Sequence, residues 1–324
     1  MPISFQTSVT AVAQIFAMGA MGYYLVRAGV IKEPGLQLLS HLSVNIFFPL
    51  FIFYQIIKNF DAAHIPFWWA LPLVNVSLVL TGLLVASLVT FRHSKVVTGT
   101  TFRDKFMAVS ALHNAGYIPL LLIMSLPLGG WAAKIYPCII LSIIGFDSCL
   151  WSIGVWLMTK EKAKKGDRYL FLKRMINPPL VSMASALIIA LTLGPGAVPE
   201  IILKPIKILG DAAMAMAMIV IGGNLSLATL SKIAWPQVSG VILLKLIVLP
   251  LITLLVLSLL KLNPLLSFVA MIQACMPSSI TLSIIGRNYE TDNQDFVNQS
   301  IFGTHLLSML TIPVFLGLYG KLNG

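Results

Sequence analysis

A chain of 324 residues that is 58% hydrophobic and only 10% charged, with a mean hydropathy of +0.91, carries more apolar surface than water can hold; soluble domains carry about 25% charged residues. The net charge of +11 does not indicate nucleic acid, because the basic residues lie between long apolar runs as topology signals. Cys138, Cys149 and Cys275 lie in apolar segments without a CxxC pair, which excludes a disulfide framework and a zinc pattern and reads as small buried hydrophobes.

A membrane-spanning helix needs roughly 20 apolar residues. Ten such segments are predicted, near 6–27, 36–57, 66–91, 103–126, 133–159, 177–194, 203–230, 236–260, 264–286 and 296–319. No lysine or arginine precedes the first, so it reads as a retained helix rather than a cleaved signal. Segment two holds His41, Asn45 and Pro49. Segment three follows Ile65-Pro66-Phe67, with Trp68 and Trp69 as interfacial anchors. Segment four is interrupted by Leu112-His113-Asn114-Ala115-Gly116-Tyr117-Ile118-Pro119, and segment five carries Asp147. Segment seven contains Asp211, the run Met214, Met216 and Met218, and Asn224 after two glycines. Segment eight opens with Trp235-Pro236-Gln237 and carries Lys245. Segment nine is interrupted by Gln273-Ala274-Cys275-Met276-Pro277-Ser278-Ser279, and segment ten carries His305.

With ten spans both termini face one side. The opposite side then receives fifteen of the 22 basic residues, seven of them between Lys160 and Arg174, and the termini's side receives six; Lys245 lies within a span. Positive loops stay in the cytoplasm, so both termini are expected outside, in a multi-pass protein of a bacterial-type inner membrane. The organisation expected is a first five-helix repeat over 1–159, a basic cytoplasmic linker over 160–176 and a second five-helix repeat over 177–324. Five spans per half turn the second half upside down relative to the first, which is an inverted repeat. The two proline breaks then fall in the equivalent segments four and nine. Asn75 also overlays Lys245, and Gly145-Phe146-Asp147 overlays Gly303-Thr304-His305.

Proline removes a backbone donor and presses on the preceding turn. In lipid such a break survives only inside protein or beside a water-filled cavity. Half-helices ending at mid-membrane offer unpaired N–H groups and carbonyls, and the aligned peptide dipoles put about half a positive charge at each N-terminal end. Amide ends suit an anion and carbonyl ends a cation. Candidate substrate-binding residues are therefore Asn114, Gly116 and Pro119 at the first break, Gln273, Pro277, Ser278 and Ser279 at the second, and Asn45 beside them.

Charges within spans cost about 2.5–3.5 kcal/mol on insertion scales and usually face a cavity or a partner. Asp147 is a candidate proton carrier. Lys245 either neutralises a bound anion or holds a helix through a salt bridge. His305 is the third ion-coupling candidate, with His113 and Asp211 weaker ones. The competing reading for each is structural pairing, and for the methionine run it is core packing.

Asn114-x-Gly116-x-x-Pro119-Leu120 resembles the fourth-helix motif of the auxin efflux carrier family. Gln273-Ala274-x-x-Pro277, then Ile280 and Gly286-x-x-Tyr289, is similar to its ninth helix, while Asn45-x-x-x-Pro49 and Asn177-Pro178 resemble bacterial members. The resemblance covers essentially the whole chain. It implies an all-α integral membrane fold: ten transmembrane helices in two inverted five-helix repeats, with broken helices 4 and 9 crossed. It also implies movement of small organic anions by an elevator-like shift of segments three to five and eight to ten past segments one, two, six and seven. The long hydrophilic central loop of the plant carriers is absent, which removes the basis for expecting auxin itself or phosphorylation control through that loop. A bacterial-type permease, with malonate-carrier-like members among its relatives, is the nearer match.

The function expected is secondary active transport of a small organic anion, a carboxylate, by alternating access. No GxxxxGK[ST] motif is present, so an ion gradient (proton or sodium), the membrane potential or the substrate gradient supplies the energy. The alternatives are a sodium-coupled bile-acid-like symporter, which needs oxygen ligands at the breaks, and a cation–proton antiporter, which needs more carboxylates than Asp147. An enzyme would need a paired nucleophile and base or two aspartates in motif contexts, and a ligand-binding sensor would move nothing. No cofactor, metal or nucleic acid is expected; a homodimer is left open.

Overall fold

The computed structural model describes residues 4–92, 100–161, 176–194, 196–228, 233–260 and 262–323. Among them every regular element is a helix: α1 (Phe5–Arg27), α2 (Glu33–Leu42), α3 (Phe48–Asn59), α4 (Leu71–Arg92), α5 (Thr100–Ala111), α6 (Tyr117–Ser125), α7 (Gly130–Cys149) and α8 (Val155–Thr159) in the first half. The second half holds α9 (Pro178–Leu193), α10 (Glu200–Ser226), α11 (Trp235–Leu243), α12 (Leu249–Leu260), α13 (Pro264–Ala274), α14 (Thr281–Asn288) and α15 (Gln294–Asn323). Most of the basic linker, 162–175, lies outside the described residues.

Among the described residues, seven continuous helical runs are long and apolar enough to cross a membrane: Phe5–Arg27, Glu33–Asn59, Trp68–Phe91, Gly130–Thr159, Glu200–Ser226, Trp235–Leu260 and Gln294–Leu322. The remaining predicted segments fall short of that length. Segment six is α9, of 16 residues. Segments four and nine are each split, into α5 with α6 and α13 with α14.

Three of the long runs contain a π-helical turn, at Ser43–Phe47, Leu150–Gly154 and Leu244–Val248. Two of these turns lie just before a proline, Pro49 and Pro250. A proline ring presses on the carbonyl four residues back, and here that carbonyl lies within the widened turn. The helix thus passes the proline without ending.

The burial pattern is that of a protein in lipid. Leu80, Leu84, Leu88 and Phe91 on α4, and Ile201 and Ile208 on α10, face outward, whereas Asn75, His113, Gln273, Ser278, Thr304 and Lys245 are buried. This is a multi-pass membrane protein. Small residues let its helices approach closely. A Cβ on Gly222 of α10 would lie 1.8 Å from the Gly19 carbonyl oxygen of α1, and one on Gly145 of α7 would lie 1.8 Å from the Pro72 carbonyl oxygen of α4. α1 and α3 pack on α10, and α3 on α9, while α4 packs on α5 and α7. Lys105, counted above with the loop charges, is buried: it pairs with Glu161 at 2.6 Å and donates to the Met158 carbonyl. Met214 and Met218 are core residues.

Candidate functional site

The two interruptions meet. The connections between α5 and α6 and between α13 and α14 are both irregular, and His113 and Ser278 form an isolated antiparallel bridge between them. The Asn114 N–H donates to the Pro277 carbonyl at 2.8 Å, and the Ser279 N–H donates to the Leu112 carbonyl at 3.0 Å. Backbone groups freed by one break are thus satisfied by the other, as the membrane interior demands. Pro119 is not in the gap. It is the third residue of α6, where a missing N–H costs no intrahelical bond. Pro277 is in the gap, and its carbonyl is the acceptor.

Behind the breaks lies a buried polar network. Asn75 Nδ2 donates to the Ser142 carbonyl at 2.9 Å and reaches the Ser142 hydroxyl at 3.2 Å, and Asn75 Oδ1 lies 3.0 Å from His113 Nε2. Gln273 Nε2 donates to the Ala115 carbonyl at 3.0 Å and to Ser142 Oγ at 3.1 Å. Ser278 donates through its hydroxyl to the Val109 carbonyl at 2.6 Å, and through its N–H to Thr304 Oγ1 at 3.2 Å. Lys245, in the π turn before α12, donates to the Ala111 carbonyl at 3.2 Å. Its ammonium therefore meets the negative, carbonyl end of α5. His305 Nδ1 lies 2.8 Å from the Ile301 carbonyl of its own helix.

In front of the breaks lies a cavity of about 610 Å³. Asn114, Gly116 and Tyr117 reach it from the first break, and Ser279, Ile280 and Thr281 from the second. The half-helix ends lining it are thus the N-terminal ends of α6 and α14; Ala111 and Ala274, where α5 and α13 stop, are not in its wall. Asn177 also lines it. This residue caps the N-terminus of α9 by accepting from the Leu180 N–H at 2.9 Å, and its side chain faces the Asp147 carboxylate. The remaining wall is Asn45, whose amide donates to the His41 carbonyl at 2.9 Å, Ser43 beside the Tyr117 hydroxyl at 3.4 Å, and the rings of Phe48 and Phe146. At the mouth, Arg287 of α14 bridges Glu33 of α2 at 3.2 Å and Asn224 of α10 at 3.1 Å.

The candidates therefore separate into two sets. Asn45, Asn114, Gly116, Ser279 and Asp147 line the cavity. Gln273, Pro119, Pro277, Ser278, Lys245 and His305 do not; the bonds above tie Gln273, Pro277, Ser278 and Lys245 into the breaks or the helix ends beside them. Asp211 pairs with Lys207 one turn away at 2.5 Å, at a half-exposed position. Sequence reading missed Ser43, Tyr117, Glu33 and Arg287 as cavity residues. Tyr117 lay inside the first break motif and was the one with a local signal. Arg287 and Glu33 are 254 positions apart, so no local pattern joins them.

The family model described as "Membrane transport protein" matches residues 7–316. An uncharacterized transporter of Methanocaldococcus jannaschii is 24% identical over 302 residues, covering 91% of this chain and 93% of that protein. Protein PIN-LIKES 5 of Arabidopsis thaliana is 25% identical over 177 residues, 49% of this chain and 44% of that protein. With its apolar spans, the two interruptions meeting in its interior and a family match running nearly end to end, the chain belongs to the membrane transport protein family that includes the auxin efflux carriers.

Proposed function

We propose that the protein is a secondary transporter of a small organic anion, a carboxylate, working by an elevator-like alternation of access. The observation that carries this reading is the convergence of the α6 and α14 N-termini on one cavity. Each such end carries roughly half a positive charge, and Tyr117 and Ile118 of α6 and Thr281 of α14 carry its first N–H groups. A carboxylate is the ligand they suit. Asn114, Gly116, Ser279 and Asn45 are the proposed substrate contacts. Gln273, Pro119, Pro277 and Ser278 hold the breaks in shape.

In this reading the chain crosses an inner membrane ten times as two inverted repeats, with segments four and nine crossed at their breaks and both termini outside. The proposed scaffold is α1, α2, α3, α9 and α10, tied by the packing of α1 and α3 on α10 and of α3 on α9; the other helices form the proposed moving bundle, which meets the scaffold where α1 packs on α6 and α15.

The sodium-coupled alternative needs oxygen ligands for a cation at the breaks, the carbonyl ends of the half-helices among them. At the end of α5 that place is taken by the Lys245 ammonium, which favours a carrier without sodium. The antiporter alternative needs several carboxylates, and Asp147 is the one that lines the cavity near the breaks.

The test is a thermal-shift screen of small mono- and dicarboxylates, with and without sodium, followed by flux in proteoliposomes. A ligand held by the native state raises its apparent stability with concentration. The expected result is a carboxylate that stabilises equally in sodium and choline buffer and is then taken up. Stabilisation by sodium alone, or binding without flux, overturns the reading in favour of a symporter or a sensor. For orientation, a cysteine at Leu322 should react with an impermeant reagent from the periplasm and one at Gly166 should not.

A further inference from the structure

The cavity offered to an anion already contains a negative charge. Asp147 lines it, and among the described residues no lysine, arginine or histidine pairs with its carboxylate. What faces it instead is the Asn177 side chain, at the N-terminus of α9. Three helix N-termini therefore bound one space, those of α6, α14 and α9, and one carboxylate sits in their combined field. The elements packed on α7 bring few other charges. Tyr117 of α6 is the titratable neighbour; α4 carries only Arg92 at its far end, α3 carries Tyr54 and Lys58 toward its C-terminal end, and α9 and α13 carry none. Across the cavity stand His41, which hydrogen-bonds Asn45, and Glu33 with Arg287, which occupy one another at the mouth.

We propose that Asp147 is the proton site of the carrier and that it takes up one proton as the anion settles, so that anion and proton cross together. This rests on the anion-carrier reading above and specifies its coupling ion. Before the anion enters, the Asp147 carboxyl lies in the field of the three positive helix ends, which favours its ionised form. An entering carboxylate claims the same field, and two like charges sharing one site do not both stay ionised. The proton comes from the aqueous side to which the cavity is open and goes onto a carboxylate oxygen of Asp147. For a monoanion the loaded cavity then carries the same net charge as before, and the step needs no other partner. Asn177 makes the exchange felt between helix groups, because it sits on α9 while Asp147 sits on α7.

The experiment is calorimetry on the full chain in detergent, with acetate, malonate and succinate as probes, in buffers of differing ionisation enthalpy. The wild-type protein should take up about one proton per bound anion, and above neutrality its affinity should fall about tenfold per pH unit. Asp147→Asn should bind the same probe with no proton uptake and no pH slope, and Asp147→Glu should restore both. Zero proton uptake by the wild type, which needs no variant to fold, overturns the proposal and leaves the anion carrier standing. An equal slope in Asp147→Asn does the same. If none of the probes binds the wild type at any pH, the carrier reading falls and the coupling falls with it.

Discussion

The main-chain N–H of Asn114 and the carbonyl of Pro277, 2.8 Å apart, join two segments more than 160 residues apart in sequence into one structural unit. With the reciprocal bond from Ser279 to Leu112 at 3.0 Å, each break repairs the hydrogen-bonding deficit of the other. A single broken helix would leave its groups bare in an apolar medium at several kcal/mol each. Paired, the breaks spend their inward groups on one another and leave the N-terminal ends of α6 and α14 turned to the cavity.

Asn114→Ala separates holding from binding. The bond to Pro277 is made by the backbone and survives the change, while the side chain that lines the cavity is lost. Thermal stability should move by less than about 1 kcal/mol, and anion affinity should fall about tenfold, the value of one hydrogen bond to a charged group. Calorimetry with the stabilising carboxylate is the measurement; unchanged affinity removes Asn114 from the site.

Gln273→Leu addresses the opposite set. Its amide reaches the Ala115 carbonyl and Ser142 Oγ, both buried. Removing it strands the Ala115 carbonyl, while Ser142 Oγ keeps its contact with Asn75, and should destabilise the protein by about 1–3 kcal/mol, seen as a lower thermal midpoint in detergent. A midpoint equal to wild type would mean that Gln273 does not hold the breaks together.

Two glycines should respond in opposite ways. A Cβ on Gly145 would lie 1.8 Å from the Pro72 carbonyl oxygen, so Gly145→Ala must force α7 away from α4. The expected cost is about 1–3 kcal/mol or more, with poor yield of folded protein. At Gly116 a Cβ would meet Phe48 Cζ at 3.4 Å, an ordinary contact, and φ is −107°. Gly116→Ala should fold normally and alter only ligand binding, because its methyl group enters the cavity. Equal expression of both variants would refute the packing argument.

The Glu33–Arg287 pair at the mouth is half exposed, so it adds less than about 1 kcal/mol to stability. Its effect should be on access. Glu33→Arg alone sets two cations across the opening and should speed labelling of a cysteine placed at Val44 in the cavity wall. Combined with Arg287→Glu, the pair is restored in reverse and labelling should return to the wild-type rate. A double variant as fast as the single one would mean that the bridge does not control entry.

Much of the fold was legible because lipid imposes a strong and simple rule on sequence. The first, second, third, fifth, seventh, eighth and tenth apolar segments are each one continuous helical run. The breaks were legible because proline beside polar residues in an apolar run has few structural solutions. The π turns before Pro49 and Pro250 left no such trace, since they depend on how the helix relieves the ring rather than on residue type. Lys245 was recognised as a costly buried charge, with a salt bridge as one reading. Its partner is instead a backbone carbonyl at a helix end, and a carbonyl carries no side-chain signature.

From the sequence alone came the apolar spans, the two interruptions and the short list of polar residues near them, because each follows from hydropathy and from what proline does to its own helix. The tertiary structure alone decided which of those residues face the cavity. Asn114 and Ser279 do, while Gln273 and Ser278, equally polar and as near to a break, are turned inward as hydrogen-bond donors. That choice depends on which carbonyls a helix distant in sequence presents, and such partners are fixed only when the two halves of the chain come together.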